Sequence, residues 1–166
     1  MKTIFISEEN YLKVAKIYDE GLRTGKATFE TTVPSWEKWD SGHFSFGRII
    51  AIKENNFLGW AALSPVSSRC VYGGVAEVSV YISEDARGKG VGEFLLKNLI
   101  EISEANNIWT LQSGIFRENI ASHKLHIKCG FREVGFKEKV GQLRGVWKDN
   151  VLLERRSRIV GVKKNK

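Results

Sequence analysis

Residues 76–92 read AEVSVYISEDARGKGVG, and this stretch decides which fold we expect. In its first half, Val78, Val80 and Ile82 alternate with Glu77 and Ser79, which is the period-two pattern of a strand with one buried face. The second half is rich in glycine, which lets the backbone approach a ligand closely and adopt positive φ angles. Exposed amides at such a turn bind phosphate-type anions, although a glycine-rich run taken alone is also typical of a flexible turn.

The residues after the turn favour the anion-binding interpretation. They predict an amphipathic helix over residues 91–107, so the turn joins a buried strand to a helix N-terminus. A Walker loop is excluded because GxxxxGK[ST] is absent, and GxGxG without an initial βαβ unit is a poor match to a dinucleotide fingerprint. The apolar residues on one stripe of the helix are Val91, Phe94, Leu95, Leu99 and Ile102.

The rest of the chain predicts a mixed α/β (α+β) domain. A first strand at residues 2–7 precedes a helix that we expect Ser7 to cap and that extends to about Leu22. Residues 21–39 form a long irregular segment with a short helix after Pro34. A helix begins at Asn119. The other predicted strands are residues 48–66 as two strands joined near residues 55–56, then residues 108–115, 131–137 and 145–156.

Length and charge limit the classes of function. The 166 residues suggest one domain, which we place at residues 1–154, followed by a basic tail at residues 155–166. Of the net charge of +7, six positive charges lie in that tail, so the domain lacks the basic face that a nucleic-acid duplex usually requires. We therefore do not favour nucleic acid as a partner. The six basic residues of the tail are Arg155, Arg156, Arg158, Lys163, Lys164 and Lys166.

Apolar runs and cysteines indicate the compartment. No apolar run approaches the roughly 18 residues that a membrane span needs, so no membrane association is expected. Cys70 and Cys129 are isolated and lack the spacing of a metal site. We expect a reducing cytoplasm and no metal.

Two motifs resemble the GNAT superfamily of N-acetyltransferases. Residues 86–96, ARGKGVGEFLL, resemble its acetyl-CoA motif, with Arg87, Gly90 and Gly92 filling R/Q-x-x-G-x-G/A. Residues 118–131, ENIASHKLHIKCGF, resemble its N-x-x-A/S…G-F segment. The resemblance implies a mixed, mostly antiparallel sheet flanked by helices, whose central strands splay apart to admit the pantetheine of acetyl-CoA.

A wider resemblance is to the phosphinothricin N-acetyltransferase group, which includes enzymes that acetylate methionine sulfone and methionine sulfoximine. It rests on residues 25–31, 34–39, 68–82, 125–131 and 145–153. It implies acetyl transfer from acetyl-CoA to the α-amine of a small amino acid in a ternary complex, by a homodimer. The residues implied to contact acetyl-CoA are Val78, Val80, Tyr81, Ile82, Arg87, Gly88, Lys89, Gly90, Val91, Gly92, Glu93 and Asn119.

Glu77 is our candidate general base. It precedes the cradle on the strand face opposite Val78, and the resemblance implies that it acts directly or through water. A carboxyl group beside apolar residues has a raised pKa when it is partly desolvated, which suits a base. The alternative is a solvent-facing strand carboxylate without a role in catalysis. We expect a backbone N–H between Val78 and Val80 to meet the oxyanion.

His126 stands where many GNAT enzymes have tyrosine, and the phosphinothricin group shares this histidine, so the resemblance implies that it assists departure of the thiolate. It follows Asn119 by about two helical turns, so both face one side, but spacing alone leaves His123 open as well. For the acceptor, Arg69 and Tyr72 match the group, and an Arg fork binds a carboxylate at two points.

Phe29 matches an aromatic residue of the group's substrate loop. Two other functions remain open: a GNAT enzyme acting on a peptide or protein N-terminus, and a non-catalytic binding module. The Arg69 and Tyr72 pair argues against the first, because a peptide α-amine has no free carboxylate nearby. Glu77, Asn119 and an unbroken cradle argue against the second.

Overall fold

The computed structural model describes residues 1–163, which fold around one mixed sheet. Its strand order is β1-β2-β3-β4-β5-β7-β6. The strands are β1 Lys2–Phe5, β2 Arg48–Lys53, β3 Asn56–Pro65, β4 Val75–Ile82, β5 Thr110–Phe116, β6 Arg132–Leu143 and β7 Val146–Arg156. The helices are α1 Tyr11–Arg23, α2 Trp36–Ser41, α3 Val91–Ala105 and α4 Ile120–Lys128.

The sheet is antiparallel except between β4 and β5. These two strands pair in parallel only from Val75↔Thr110 to Glu77↔Gln112, and no register partner joins them in the described residues beyond that point. The predicted mixed, mostly antiparallel sheet with splayed central strands is therefore confirmed.

The sheet is covered on both faces. Along β2, Ile49 and Ala51 pack against the α3 side, whereas Ile50 and Ile52 pack against α1 and Trp39. Because successive strand residues face opposite sides, the apolar run of β2 supplies both layers at once. Within residues 1–163, no helix combines the length and apolar character needed to cross a bilayer.

Two predicted boundaries are wrong. Helix α1 begins at Tyr11 with Asn10 as its N-cap residue, because residues 8–10 form a separate 3₁₀ turn after Ser7. Strand β6 continues to Leu143, six residues past the predicted end, because it pairs with β7 across register shifts on both sides of Lys137.

The C-terminal segment is attached to the domain beyond residue 154. Strand β7 runs to Arg156, and Arg155 Nη1 lies 3.0 Å from Glu104 Oε1. Arg156 donates to the carbonyl oxygens of Trp109 and Gly161 at 3.1 and 2.7 Å. The first residues of the predicted tail are thus part of the folded unit, whereas Lys164 and Lys166 lie outside the described residues.

Candidate active site

The separation of β4 from β5 leaves backbone groups of β4 unpaired on that side. Ser83 N donates to Leu58 O at 2.9 Å, which fixes the alternation of the antiparallel β3–β4 ladder. By that alternation, Val80 and Ile82 direct their backbone groups away from β3, toward the gap. The gap therefore presents backbone hydrogen-bond donors and acceptors to a ligand.

The glycine-rich turn lies at the end of this gap. Gly88 and Gly90 have φ angles of +73° and +79°, and a Cβ at either position would meet no atom within 4 Å. Glycine is needed there for the backbone angle, while the empty space in front remains available to a ligand. Gly90 is the N-cap residue of α3, so the free amides of the first helical turn face the same space.

Glycine is required at position 92 for a different reason, namely the close packing of two helices. A Cβ there would lie 2.9 Å from Leu125 Cδ2, so α3 and α4 approach each other closely at this point. The turn, the two helices and the end of β4 enclose a groove of about 510 Å³. The predicted acetyl-CoA residues that line it are Val80, Tyr81, Ile82, Arg87, Gly88, Gly90, Val91, Gly92, Glu93 and Asn119.

Two of the predicted cofactor residues do not line the groove, and a third, Glu93, lines it with its charge already paired. Val78 lines the neighbouring cavity instead, and Lys89 lines a pocket behind the turn, with Nζ donating to Asp85 O at 2.7 Å. Glu93 is bound by Lys128 and Lys97 at 2.5 and 2.7 Å, and these hydrogen bonds lower its pKa to about 2. Its charge is therefore already compensated by lysines of α3 and α4.

A second cavity of about 670 Å³ adjoins the groove on the α1 side of the sheet. Ala27, Val80, Tyr81, Asn119 and Ser122 line both spaces, so the two are continuous at the splay. A ligand in the groove and a ligand in the cavity can therefore meet at the gap between β4 and β5.

Glu77 lines this second cavity. Its side chain reaches solvent there and makes no hydrogen bond or ion pair with any residue from 1 to 163. Burial of the carboxyl group among neighbouring protein atoms nevertheless raises its pKa above the ordinary value. A carboxylate with a raised pKa and no protein partner is suited to accepting a proton from a ligand.

His126 lines the same cavity and is only 3% exposed. Its Nδ1 lies 2.7 Å from the Ser122 carbonyl oxygen, which can only accept, so Nδ1 carries a proton. Nε2 is buried without a partner among the described residues, and burial lowers the pKa of the imidazole. His126 is therefore a neutral ring with a free lone pair, which must gain a proton before it can serve the predicted donor role.

His123 is directed elsewhere. Its Nε2 contacts the Glu133 carboxylate of β6, and His123 is not among the residues that line the cavity. Of the two histidines that spacing left open, the structure brings only His126 to the cavity, one helical turn from Ser122, which lines both spaces.

Asn119 lies at that junction and is held by two hydrogen bonds. Its Oδ1 accepts from Ser122 N at 3.3 Å, as expected of a helix cap, and its Nδ2 donates to Lys26 O at 3.1 Å. The second bond ties α4 to the irregular segment that follows α1.

Of the three predicted acceptor residues, only Phe29 lines the cavity. Its ring meets the Phe116 ring edge-on at 4.7 Å. Arg69 and Tyr72 are both exposed on the β3–β4 connection, where the guanidinium lies 5.7 Å from the tyrosine ring, and neither lines the groove or the cavity. The structure therefore does not bring the predicted carboxylate pair to the cavity lining, because both side chains extend into solvent from the β3–β4 connection.

The cavity also contains residues that the sequence did not indicate. His43 donates Nδ1–H to Trp39 O at 2.6 Å and stacks on the Trp39 ring, and burial lowers its pKa. Tyr81, which the resemblance implied only as an acetyl-CoA residue, lines this cavity too; it packs on Trp60, and burial raises its pKa. Lys137 of β6 reaches the cavity as well. His43 lies between α2 and β2 and Lys137 lies on β6, so only tertiary packing brings these two residues to one cavity and no local motif could have identified them.

Comparison with known proteins agrees with this geometry. Residues 13–131 match the model of the acetyltransferase (GNAT) family. The phosphinothricin N-acetyltransferase of Alcaligenes faecalis is 32% identical over 90% of this chain and 79% of its own length.

Two solved structures are similar over most of the chain. One is a GNAT superfamily phosphinothricin acetyltransferase from Sinorhizobium meliloti in complex with acetyl-CoA, with a TM-score of 0.88, 26% identity, and coverage of 99% of this chain and 92% of that one. The other is a ribosomal-protein-alanine N-acetyltransferase from Brucella melitensis, with a TM-score of 0.86, 28% identity, and coverage of 95% and 100%.

The groove fits acetyl-CoA on its own evidence. The glycine-rich turn leaves space where any side chain would point, and the unpaired edge of β4 continues from it toward the cavity. These features, together with the family match and the relatives, show that the chain belongs to the GNAT acetyltransferase family and is an acyltransferase that uses acetyl-CoA as co-substrate.

Proposed function

We propose that this protein transfers the acetyl group of acetyl-CoA to the α-amine of a small amino acid or analogue, of the phosphinothricin, methionine sulfone or methionine sulfoximine type. The observation that carries the proposal is the position of Glu77. This carboxylate has a raised pKa and no partner in the described residues, and it lines a cavity that meets the groove at the unpaired edge of β4.

Each residue of the site has one task in this proposal. Acetyl-CoA supplies the thioester whose carbonyl carbon the acceptor amine attacks in the ternary complex. Glu77 accepts a proton from the amine, directly or through water. The outward-facing N–H of Val80 is available to the carbonyl oxygen, in the manner of an oxyanion hole.

The proposed role of His126 follows from its tautomer. Glu77 takes the first proton of the acceptor ammonium, and Nε2 accepts the second when the attacking nitrogen has bonded to the carbonyl carbon. Nε2 then donates that proton to the sulfur as the C–S bond breaks, because the neutral ring has no Nε2 proton to give at the start. Asn119 keeps the start of α4 beside the pantetheine path and is proposed to bond that arm.

Cavity size supports a small acceptor. A space of about 670 Å³ lies within the range of about 300–1,000 Å³ that is typical of small-molecule sites. The names of relatives such as the Alcaligenes enzyme agree with this choice.

Acetylation of a peptide N-terminus is the second candidate. It is favoured by the similarity to the Brucella melitensis ribosomal-protein-alanine N-acetyltransferase and by the absence of Arg69 and Tyr72 from the cavity lining. The non-catalytic module has no such observation in its favour.

A thiol-release assay tests the proposal. The wild-type chain is given acetyl-CoA with L-phosphinothricin, L-methionine sulfone, L-methionine sulfoximine, the carboxamide of L-methionine sulfone, or a short peptide beginning with alanine. We expect turnover of at least one free amino acid and poor turnover of the amide. Preference for the peptide over every free amino acid would establish the second candidate instead.

Two further predictions accompany this function. The homodimer stays a prediction, and the surface it would bury includes apolar side chains exposed on the β6–β7 hairpin, such as Phe136 and Trp147. The cytoplasmic location also stays a prediction.

A further inference from the structure

The acceptor cavity needs a cation if the proposed function is right, because an α-amino acid carries a carboxylate. Arg69 does not line the cavity. His43 and His126 do line it, but burial lowers the pKa of both rings, so neither is charged at neutral pH. Among the lining residues within 1–163, Lys137 is the only lysine or arginine.

The other charges in the cavity are negative. Glu30, Glu77 and Glu154 line it, and only Glu154 has an ion-pair partner within residues 1–163, namely Arg132 at 2.6 Å. A substrate carboxylate placed among these groups without a cation would be repelled. Lys137 forms no ion pair with any described residue, so its ammonium group is free to compensate a ligand.

Strand register places Lys137 on the cavity face of the sheet. Lys137 lies opposite Asn150, which in turn lies opposite Phe116, and directly opposed residues share one face. Asn150 and Phe116 both line the cavity. Strands are spaced about 4.8 Å apart, so β6 lies roughly 10 Å from β5 across β7, and the gap lies beyond β5. The long side chain of Lys137 therefore enters the cavity from its far side, opposite the gap.

Two local features support a ligand at this end of the cavity. The amide oxygen of Asn150 is buried without a partner among the described residues, so an acceptor for an N–H group of a ligand is left unused there. A bulge follows Lys137 at once, since the register shifts between Lys137 and Gly141, and such bulges redirect side chains beside functional sites.

We propose that Lys137 binds the carboxylate of the amino-acid acceptor and so determines specificity for free amino acids. This proposal rests on the proposed function and assigns to Lys137 the task that the resemblance implied for Arg69. The ammonium group lies on the β6 side of the cavity, Glu77 lies on the β4 side, and the α-amine is held between them.

Kinetics with L-methionine sulfone and its carboxamide test this role. We expect Lys137→Met to raise KM for the acid about ten- to a hundredfold, the usual effect of losing a charged hydrogen-bond partner. KM for acetyl-CoA and kcat at saturating acid should change far less. Turnover of the carboxamide should be equal in the wild type and the variant, and Lys137→Arg should recover part of the loss.

The matched control is Lys139→Met, which removes an exposed ammonium from the same strand outside the cavity. It should behave as the wild type. An unchanged KM for the acid in Lys137→Met, with a rise in Arg69→Met, would overturn the Lys137 proposal and leave the proposed function standing. Absence of thiol release by the wild type with every free amino acid would overturn the proposed function itself.

Discussion

The cofactor groove and the acceptor cavity are built in different ways although they meet at one gap. The groove uses mainly backbone: the turn around Gly88 and Gly90, the start of α3 and the free edge of β4. The cavity uses side chains from at least five elements, with Glu77 on β4, His126 on α4 and Lys137 on β6. The turn of the groove consists of consecutive residues. The cavity consists of residues that the sheet brings together from distant parts of the sequence.

This difference has a functional consequence. A backbone site needs only the φ angles and the open space that glycine provides. It therefore suits acetyl-CoA, the co-substrate that stays the same when the acceptor changes. A side-chain site changes with each substitution on its lining strands, so the acceptor can vary on an unchanged frame. Variants in the two regions should therefore fail in different kinetic parameters.

The largest effect is expected in the cavity, from Glu77→Gln. The change keeps the shape but removes the carboxylate, so kcat should fall about a hundred- to ten-thousandfold at neutral pH. A base acts when ionised, and burial raises the pKa of Glu77, so wild-type activity should decline as pH falls through that raised pKa. The variant should lack this acidic limb and recover at high pH, where more amine is already neutral.

Initial rates across pH with saturating substrates measure this change. Glu138→Gln, on the exposed part of β6 outside the cavity lining, is the control and should match the wild type. Near-full activity of Glu77→Gln at neutral pH would show that another group is the base. An inactive variant that high pH does not restore would indicate that Glu77 positions the acceptor instead.

The next effect is expected in the groove, from Gly90→Asp. The carboxylate would enter the space before the turn and oppose the pyrophosphate, so acetyl-CoA affinity should fall about ten- to a hundredfold, comparable to the loss of a charged hydrogen bond. Isothermal titration measures this affinity, while KM for the acceptor and the pH profile should change little.

Gly145→Asp is a closely matched control for that variant. Gly145, in the β6–β7 turn, has a φ angle of +78° against +79° for Gly90, and a Cβ at either meets nothing within 4 Å. Both variants therefore incur similar backbone strain and should lose similar thermal stability. Equal acetyl-CoA affinity in the two would contradict the groove as the cofactor site.

The smallest effect is expected at Asn119, which belongs to both regions. Asn119→Ala removes the cap of α4 and the bond to Lys26 O, so it should reduce the free energy of unfolding by about 1 kcal/mol. Asn119→Asp keeps the capping oxygen but loses the donor. It should retain most of the stability and, if the amide bonds the pantetheine, still show a raised KM for acetyl-CoA.

Chemical denaturation and steady-state kinetics separate these two roles of Asn119. A normal KM for acetyl-CoA in Asn119→Asp would limit the residue to capping and to holding the irregular segment. Equal stability losses in both variants would show instead that the bond to Lys26 is the more important of the two.

The sequence predicted the local parts of the fold well. Period-two and helical patterns located β4 and α3, and the glycine spacing between them predicted the cradle that residues 87–92 form. The same patterns missed the extension of β6, because its pairing with β7 depends on register shifts that no local pattern reveals.

The residues of the candidate site show the same difference between what local sequence predicts and what tertiary structure decides. Glu77 could be proposed from its own strand, and His126 from its spacing to Asn119 on one helix. Spacing could not separate His126 from His123, because their difference lies in the partner that β6 provides to His123. Arg69 and Tyr72 matched a pattern, yet the path of the β3–β4 connection carries them outside the cavity.

The sequence by itself determined the glycine-rich turn, since the φ angles of glycine and the amides of a helix start are properties of consecutive residues. Tertiary structure alone decided the acceptor cavity. Lys137 and Asn150 line the same cavity as Glu77 only because β6 and β7 pair in one register, and a shift by one residue would turn their side chains to the other face. Tertiary structure also decided the raised pKa of Glu77 and the lowered pKa of His126, because burial is a property of the packed chain.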